Sequence, residues 1–210
     1  MTVQLRQVAA SEIERESFKI ISAEIGDHHF DAPTFRIVQR VIHATGDFSF
    51  KESMRFSPGA IARGIKAIRD GRDILTDVTM VAAGISKAML GRWGGKVICR
   101  VADQEVATLA LEKGKTRSEI AIELELGPHV GIIALGNAPT ALLQAIRSVA
   151  AIDPATAPLI IGVPVGFVNA AESKDLLVQE NSGYITSLGR KGGSPVAAAI
   201  VNALLRLAAE

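Results

Sequence analysis

Five short apolar runs punctuate the chain: DILT (73–76), KVICRV (96–101), GIIAL (131–135), LIIGVPV (159–165) and YITSL (184–188). Each is followed by a stretch that reads as helix or helix start. Runs this short and this continuously apolar suit strands buried on both faces. Strands that alternate with helices bury themselves in one way, as a mostly parallel sheet covered by helices on both sides. The expectation is an α/β fold with about five mostly parallel strands and right-handed crossovers.

Helix signals surround these runs. Ser11-x-x-Glu14 has the form of a capping box and opens a helix to about Ile25. Asp31, with Pro33 in the first turn, opens a second that runs to Gly46, and Ser57-Pro58 a third that ends at Asp70-Gly71. Asp77 to Leu90 reads as one helical stretch. Thr116-x-x-Glu119 is a second capping box, opening a helix to about Leu126. Further helices begin at Asn137-Ala138-Pro139, near Ala170 and at Pro195, the last running to Ala208. A chain of 210 residues suits one domain, 1–210, that buries its core without staples.

Composition excludes several classes of function. The net charge of +1 recruits no nucleic acid, and nine aromatic residues (seven Phe, one Trp, one Tyr) are too few for base-stacking platforms. Cys99 is the sole cysteine, so an internal disulfide and a cysteine zinc site are both out; it is expected to be a small buried hydrophobe within its strand. The stretch MTVQLRQVAASEIERE lacks a signal-peptide core. The longest apolar stretch, Pro158 to Ala171, is too interrupted to cross a membrane, so a cytoplasmic protein with no membrane partner is expected.

Open parallel sheets bind ligands outside the carboxyl ends of their strands. Three turns there are rich in glycine: LGNAPTA (135–141), GVPVGFVNAAESKD (162–175) and SLGRKGGSP (187–195). They bring free backbone N–H groups to helix starts, where anions are favoured, and Lys174, Arg190 and Lys191 are expected to add mobile positive charge. The phosphate motifs fit poorly. GRWGGKV (91–97) lacks the Ser/Thr and helix of a Walker loop, and GRKGGSP (189–195) lacks the dinucleotide glycine spacing. DHHFD (27–31) allows a metal site on residue types alone, but reads better as a solvated turn in which Asp31 caps the next helix.

In the second helix Arg36, Arg40 and His43 stand at i, i+4 and i+7 and share one face. Histidine can give and take a proton near neutrality. No G-x-S-x-G motif accompanies it, so if His43 is catalytic, general acid work is the simplest role. On spacing alone a solvated basic face remains open.

Seven segments together resemble the precorrin-8X methylmutase family of cobalamin biosynthesis, over nearly the whole chain. They are ESF (16–18), RVIHATG (40–46), ILTDVTMVAAGI (74–85), GKTRS (114–118), IALGNAPTALL (133–143), GVPVGFVNAAESKD (162–175) and GRKGGSP (189–195). GNAPTAL together with PVGFVNAAESK is the most specific pair. The resemblance implies an isomerase that moves a methyl group from C-11 to C-12 of precorrin-8X or cobalt-precorrin-8. It implies no organic cofactor and no protein-bound metal. It also implies a flavodoxin-like α/β/α sandwich in a homodimer with active sites at the interface. His43 of the H-A-x-G motif is then the catalytic acid, Ser17 and Arg40 contact substrate, and Arg117 lies near it. Asn137 and Lys174, in the two most specific segments, join the candidate substrate-binding set. A flat ring edged with carboxylates wants an apolar cleft with a cationic rim, which these residues could supply. The DVTMV form of residues 77–81 inclines the reading toward the cobalt branch. The rival is a flavodoxin-like module that binds a tetrapyrrole or another polyanion without catalysis.

Overall fold

The computed structural model describes residues 7–210. Residues 1–6, the first part of the amino-terminal stretch read for a signal peptide, lie outside them. The described chain runs α1 (Ile13–Ile25), α2 (Ala32–Thr45), α3 (Phe50–Ser53), β1 (Met54–Phe56), α4 (Ala60–Arg69), β2 (Asp73–Thr76), α5 (Thr79–Gly84), α6 (Lys87–Leu90) and β3 (Val97–Ile98). It continues through α7 (Gln104–Lys113), α8 (Arg117–Glu125), β4 (Val130–Leu135), α9 (Pro139–Val149), β5 (Leu159–Gly162), α10 (Ala170–Gln179), β6 (Tyr184–Ser187) and α11 (Ser194–Ala208).

The strands form one sheet in the order β1-β6-β5-β4-β2-β3. All neighbours are parallel except β1, which lies antiparallel to β6. Among the parallel strands this is the flavodoxin-like order. The chain adds β3 on one side of β2, then crosses to lay β4 on the other. A crevice therefore opens between the carboxyl ends of β2 and β4, where such folds hold ligands.

Alternation along the strands supplies two cores. Ile74, Ile132, Ala134, Ile161 and Ile185 face a layer built on α2, α4 and α11. Leu75, Ile133, Leu135 and Ile160 face the other layer, with α8, α9 and α10. β4 is buried at every position, which is why GIIAL reads as an unbroken apolar run. α11 is nearly as apolar all round, because it lies between the sheet and α2 and α5. Burying one such Ile or Leu side chain stabilises by about 1.5–3 kcal/mol.

Several expectations need correction. The amino-terminal capping box does not form: Ser11 sits in a 3-10 turn (Ala10–Glu12), and α1 starts without a side-chain cap. The expected helix over 77–90 is broken in two. Gly84 approaches α11 too closely for a side chain, since a Cβ there would lie 2.7 Å from that of Ala198. Asn202 then takes over the local backbone bonds, accepting from the Ser86 amide (2.9 Å) and donating to the Gly84 carbonyl (2.8 Å). Strand β3 is two residues long, so Cys99 lies beyond it, half-buried rather than within a buried strand.

Candidate active site

Helix α2 is held at both ends. The Asp31 carboxylate accepts the Thr34 amide at 2.9 Å, and Gly46, left-handed at φ 65°, closes the last turn by donating to the Ile42 carbonyl. The buried stripe Ile37, Val38, Val41 and Ile42 packs the helix toward α11. That leaves Arg36, Arg40 and His43 along an outer face, as their spacing requires.

α1 covers part of this face. Gln39 pins it by donating to the Phe18 carbonyl (3.0 Å) and the Ser22 hydroxyl (2.8 Å). The Phe18 ring then serves two residues of α2. The Arg40 guanidinium lies over it, 4.9 Å from its centroid, and the exposed imidazole of His43 meets it edge-on at 5.2 Å. Glu14, one turn before Phe18, bridges Arg40 and Arg206, and the Arg40 bond holds its carboxyl below the usual range. Arg36 pairs with Glu210. Between α1, α2 and the end of α11 lies a cleft of about 530 Å³, with Phe18, Met89 and Leu207 as its apolar wall and Arg36, Arg40 and Arg206 as its rim.

The other candidates stand elsewhere. Ser17 is on the neighbouring flank of α1, donates to the Ile13 carbonyl at 2.8 Å, and opens to a shallow groove with Val8, Ile13 and Ile20. Arg117 and Asn137 stand at the starts of the neighbouring helices α8 and α9, on the sheet-crevice side. Arg117 is the first residue of α8, exposed and without a partner among the described residues. The capping Thr116 before it touches the Thr140 hydroxyl at 2.9 Å, and Ser118 after it donates to the Asp77 carbonyl. Asn137 is exposed at the start of α9.

Two anion-site expectations change here. The N–H groups of the GNAP turn are not free. The buried carboxylate of Asp77, at the end of β2, accepts from Gly136 (3.1 Å), Asn137 (2.7 Å) and Ala138 (2.8 Å). Burial pushes this carboxyl up, against the pull of its three donors. Nor is Lys174 a mobile cation. It is fully buried and donates to the Lys191 carbonyl at 2.8 Å, and burial lowers its pKa to about 8. Lys191 in turn is tethered by its ammonium to Asp47 (2.7 Å) and Ser49 (3.0 Å), in the turn just after α2. The GRKGGSP loop therefore connects the sheet edge to the His43 helix. Among the described residues no direct contact joins His43 to Arg117, Asn137 or Lys174. The roles of Asp77, Glu14 and Arg206 were not read from the sequence; the signal for Asp77 was an acidic residue at the carboxyl end of a strand beside the topological switch.

In DHHFD, His28 stacks on Phe35 (centroids 4.1 Å apart) and Asp31 caps α2, as expected for a turn. No group of three metal-binding side chains occurs among the described residues, and no helix there is long and apolar enough to cross a membrane.

The sequence model of the precorrin-8X methylmutase family matches residues 12–207. The chain belongs to that family. It is 44% identical over 209 residues to the cobalt-precorrin-8 methylmutase of Priestia megaterium, covering 99% of this chain and 90% of the relative. It is 43% identical over 196 residues to the precorrin-8X methylmutase of Pseudomonas aeruginosa, covering 91% and 93%. The crystal structure of the precorrin-8X methylmutase from Thermus thermophilus superposes with a TM-score of 0.84 at 39% identity, covering 94% of this chain and 98% of that one. Precorrin-8X methylmutases are isomerases of cobalamin biosynthesis, so this chain is an enzyme.

Proposed function

We propose that the chain, as one domain over 1–210, moves a methyl group from C-11 to C-12 of precorrin-8X or cobalt-precorrin-8, with His43 as the acid. The observation that carries this reading is the grouping of His43 and Arg40 on one aromatic side chain, Phe18, beside an apolar cleft with a guanidinium rim. The imidazolium of His43 protonates a macrocycle nitrogen near the migrating methyl. Electron density is drawn out of the ring, and the barrier to a 1,5-sigmatropic shift falls. The reaction is an isomerisation, so the proton is returned and His43 ends as it began. An imidazolium in the last turn of α2 also meets the partial negative charge of the helix end.

Arg40 holds a ring carboxylate, while Arg117 and Asn137 engage the rim from the sheet crevice. Lys174, being buried, serves the substrate through the loop it anchors. Ser17 opens on the far flank of α1, beside exposed Ile13 and Ile20, and Phe167 and Val168 are exposed at the carboxyl edge. These apolar surfaces support a homodimer whose interface brings Ser17 and the sheet crevice of one protomer or the other to the ring. The enzyme works in the cytoplasm with no organic cofactor.

The test pairs binding with turnover. His43→Ala should bind hydrogenobyrinic acid with near wild-type affinity, followed by visible absorbance, and fail to convert substrate. Wild-type turnover in this variant would remove His43 as the acid. Failure of the wild-type protein to bind the product would instead leave a module for some other polyanion. Assays with metal-free and cobalt-loaded substrate distinguish the two branches.

A further inference from the structure

Arg40 is not free to receive a ligand. Its guanidinium is mostly buried, with 14% of the side chain exposed, and it is bonded to one carboxylate oxygen of Glu14. The other oxygen of Glu14 reaches Arg206 at 3.3 Å, so one carboxylate bridges two guanidinium groups at the mouth of the apolar cleft. A carboxylate straddling two arginines above an apolar wall is the arrangement that a ring-bound acetate or propionate would itself adopt. Glu14 is 43% exposed and hangs from the surface of α1, so it can swing into solvent without disturbing the core. Arg40 cannot do the same, because the Phe18 ring lies beneath it.

We propose that Glu14 is a resident competitor: it occupies, in the free protein, the seat that a ligand carboxylate takes on Arg40 and Arg206. The inference rests on the reading of Arg40 as a ligand contact. With Glu14 in place the Glu14–Arg40–Arg206 group carries +1; with Glu14 turned outward the Arg40–Arg206 pair left at the seat carries +2 and is fully available. Binding is then an exchange of one carboxylate for another. The apolar ring face against Phe18, Met89 and Leu207 supplies the net gain, and ligands with carboxylates but no apolar face are rejected. The internal ion pair keeps a buried guanidinium satisfied between turnovers. It makes product release easier, since Glu14 returns as the product leaves.

The experiment is a visible-absorbance titration of hydrogenobyrinic acid and of its fully esterified derivative, at low ionic strength, into the full chain and three variants. Glu14→Gln removes the competing charge. Glu14→Asp keeps the charge but shortens the reach to Arg40. Arg40→Ala tests the parent reading. The proposal expects Glu14→Gln and Glu14→Asp to bind the free acid more tightly than wild type, about fivefold or more. Both should bind the ester as wild type does, and Arg40→Ala should lose about tenfold or more in acid affinity. A merely structural role for Glu14 could weaken binding but not tighten it. Unchanged or weaker acid binding in Glu14→Gln, with Arg40→Ala weakened, overturns the proposal and leaves the Arg40 reading intact. An Arg40→Ala protein with wild-type affinity overturns both.

Discussion

The carboxylate of Asp77 accepts the backbone amide of Asn137 at 2.7 Å, across the crevice between β2 and β4. With the Gly136 and Ala138 amides on the same carboxylate, the strand-to-helix turn that could have cradled a phosphate is closed by the protein's own anion. The Gly136, Asn137 and Ala138 amides are therefore not free for a ligand, and the proposed substrate contacts at this edge rest on the side chains of Arg117 and Asn137. Asp77→Ala would leave three donors without an acceptor, in a buried site. The expected loss in urea unfolding at neutral pH is about 3–5 kcal/mol. A loss under 1 kcal/mol would mean that water replaces the carboxylate.

Lys174 is a buried cation whose pKa falls from 10.5 to about 8 on folding, through burial. The unfolded chain thus binds more protons between these values, so stability should rise as pH climbs through that window. Lys174→Met lacks the titration. The gap between wild type and Lys174→Met should move in favour of wild type between pH 8 and 10.5. Parallel stability curves across that window would show that Lys174 titrates as an exposed lysine does.

Asp47 is held down to about 2, first by its bond to Lys191 and then by Ser49. A lowered acid contributes stability above its unfolded value of 3.8 that is lost as pH falls toward 2. The pair is exposed, so its contribution is small. The sharper readout is a carbon-detected titration of the Asp47 carboxyl. In Lys191→Met its midpoint should move up toward the ordinary value. An unmoved midpoint would mean that Ser49 alone orders the turn after His43.

Gly136 is a packing glycine. A Cβ there would lie 2.7 Å from Ser194 Cα and 2.8 Å from Ser194 N, at the start of α11. Backbone cannot yield as a side chain can. Gly136→Ala should cost about 1–3 kcal/mol and lower the melting temperature accordingly. An unchanged melting temperature would show that α11 can retreat from the crevice.

Much of the fold was legible because burial on both faces leaves a plain signature. β2 has the bounds its apolar run suggested, and β4, β5, β6 and α11 differ by one to three residues. Missed elements lacked that signature. MRF (54–56) is an edge strand with Arg55 pointing out, and it pairs with β6 only because the chain returns there. α7 buries only Val106 and Ala110, and Asp103 makes no capping bond, so little marks its start. In the site, the line of Arg36, Arg40 and His43 followed from helical spacing. The partners of those residues did not. Glu14 sits at a capping-box position yet turns to Arg40, and Lys174 lies in a polar stretch yet is fully buried. Both are choices made by tertiary neighbours far away in sequence, which a local pattern does not record.

The docking of α2 onto α11 also orders events during synthesis. The helix that carries His43 is made well before the surface it packs on, Ser194–Ala208. β1 likewise waits for β6, about 130 residues later, before it has a partner. The face of α2 that carries His43 is thus completed only once α11 has been made. A nascent chain stalled before residue 194 would carry His43 on a helix with its apolar stripe still open to water, a target for chaperones rather than a partly working enzyme.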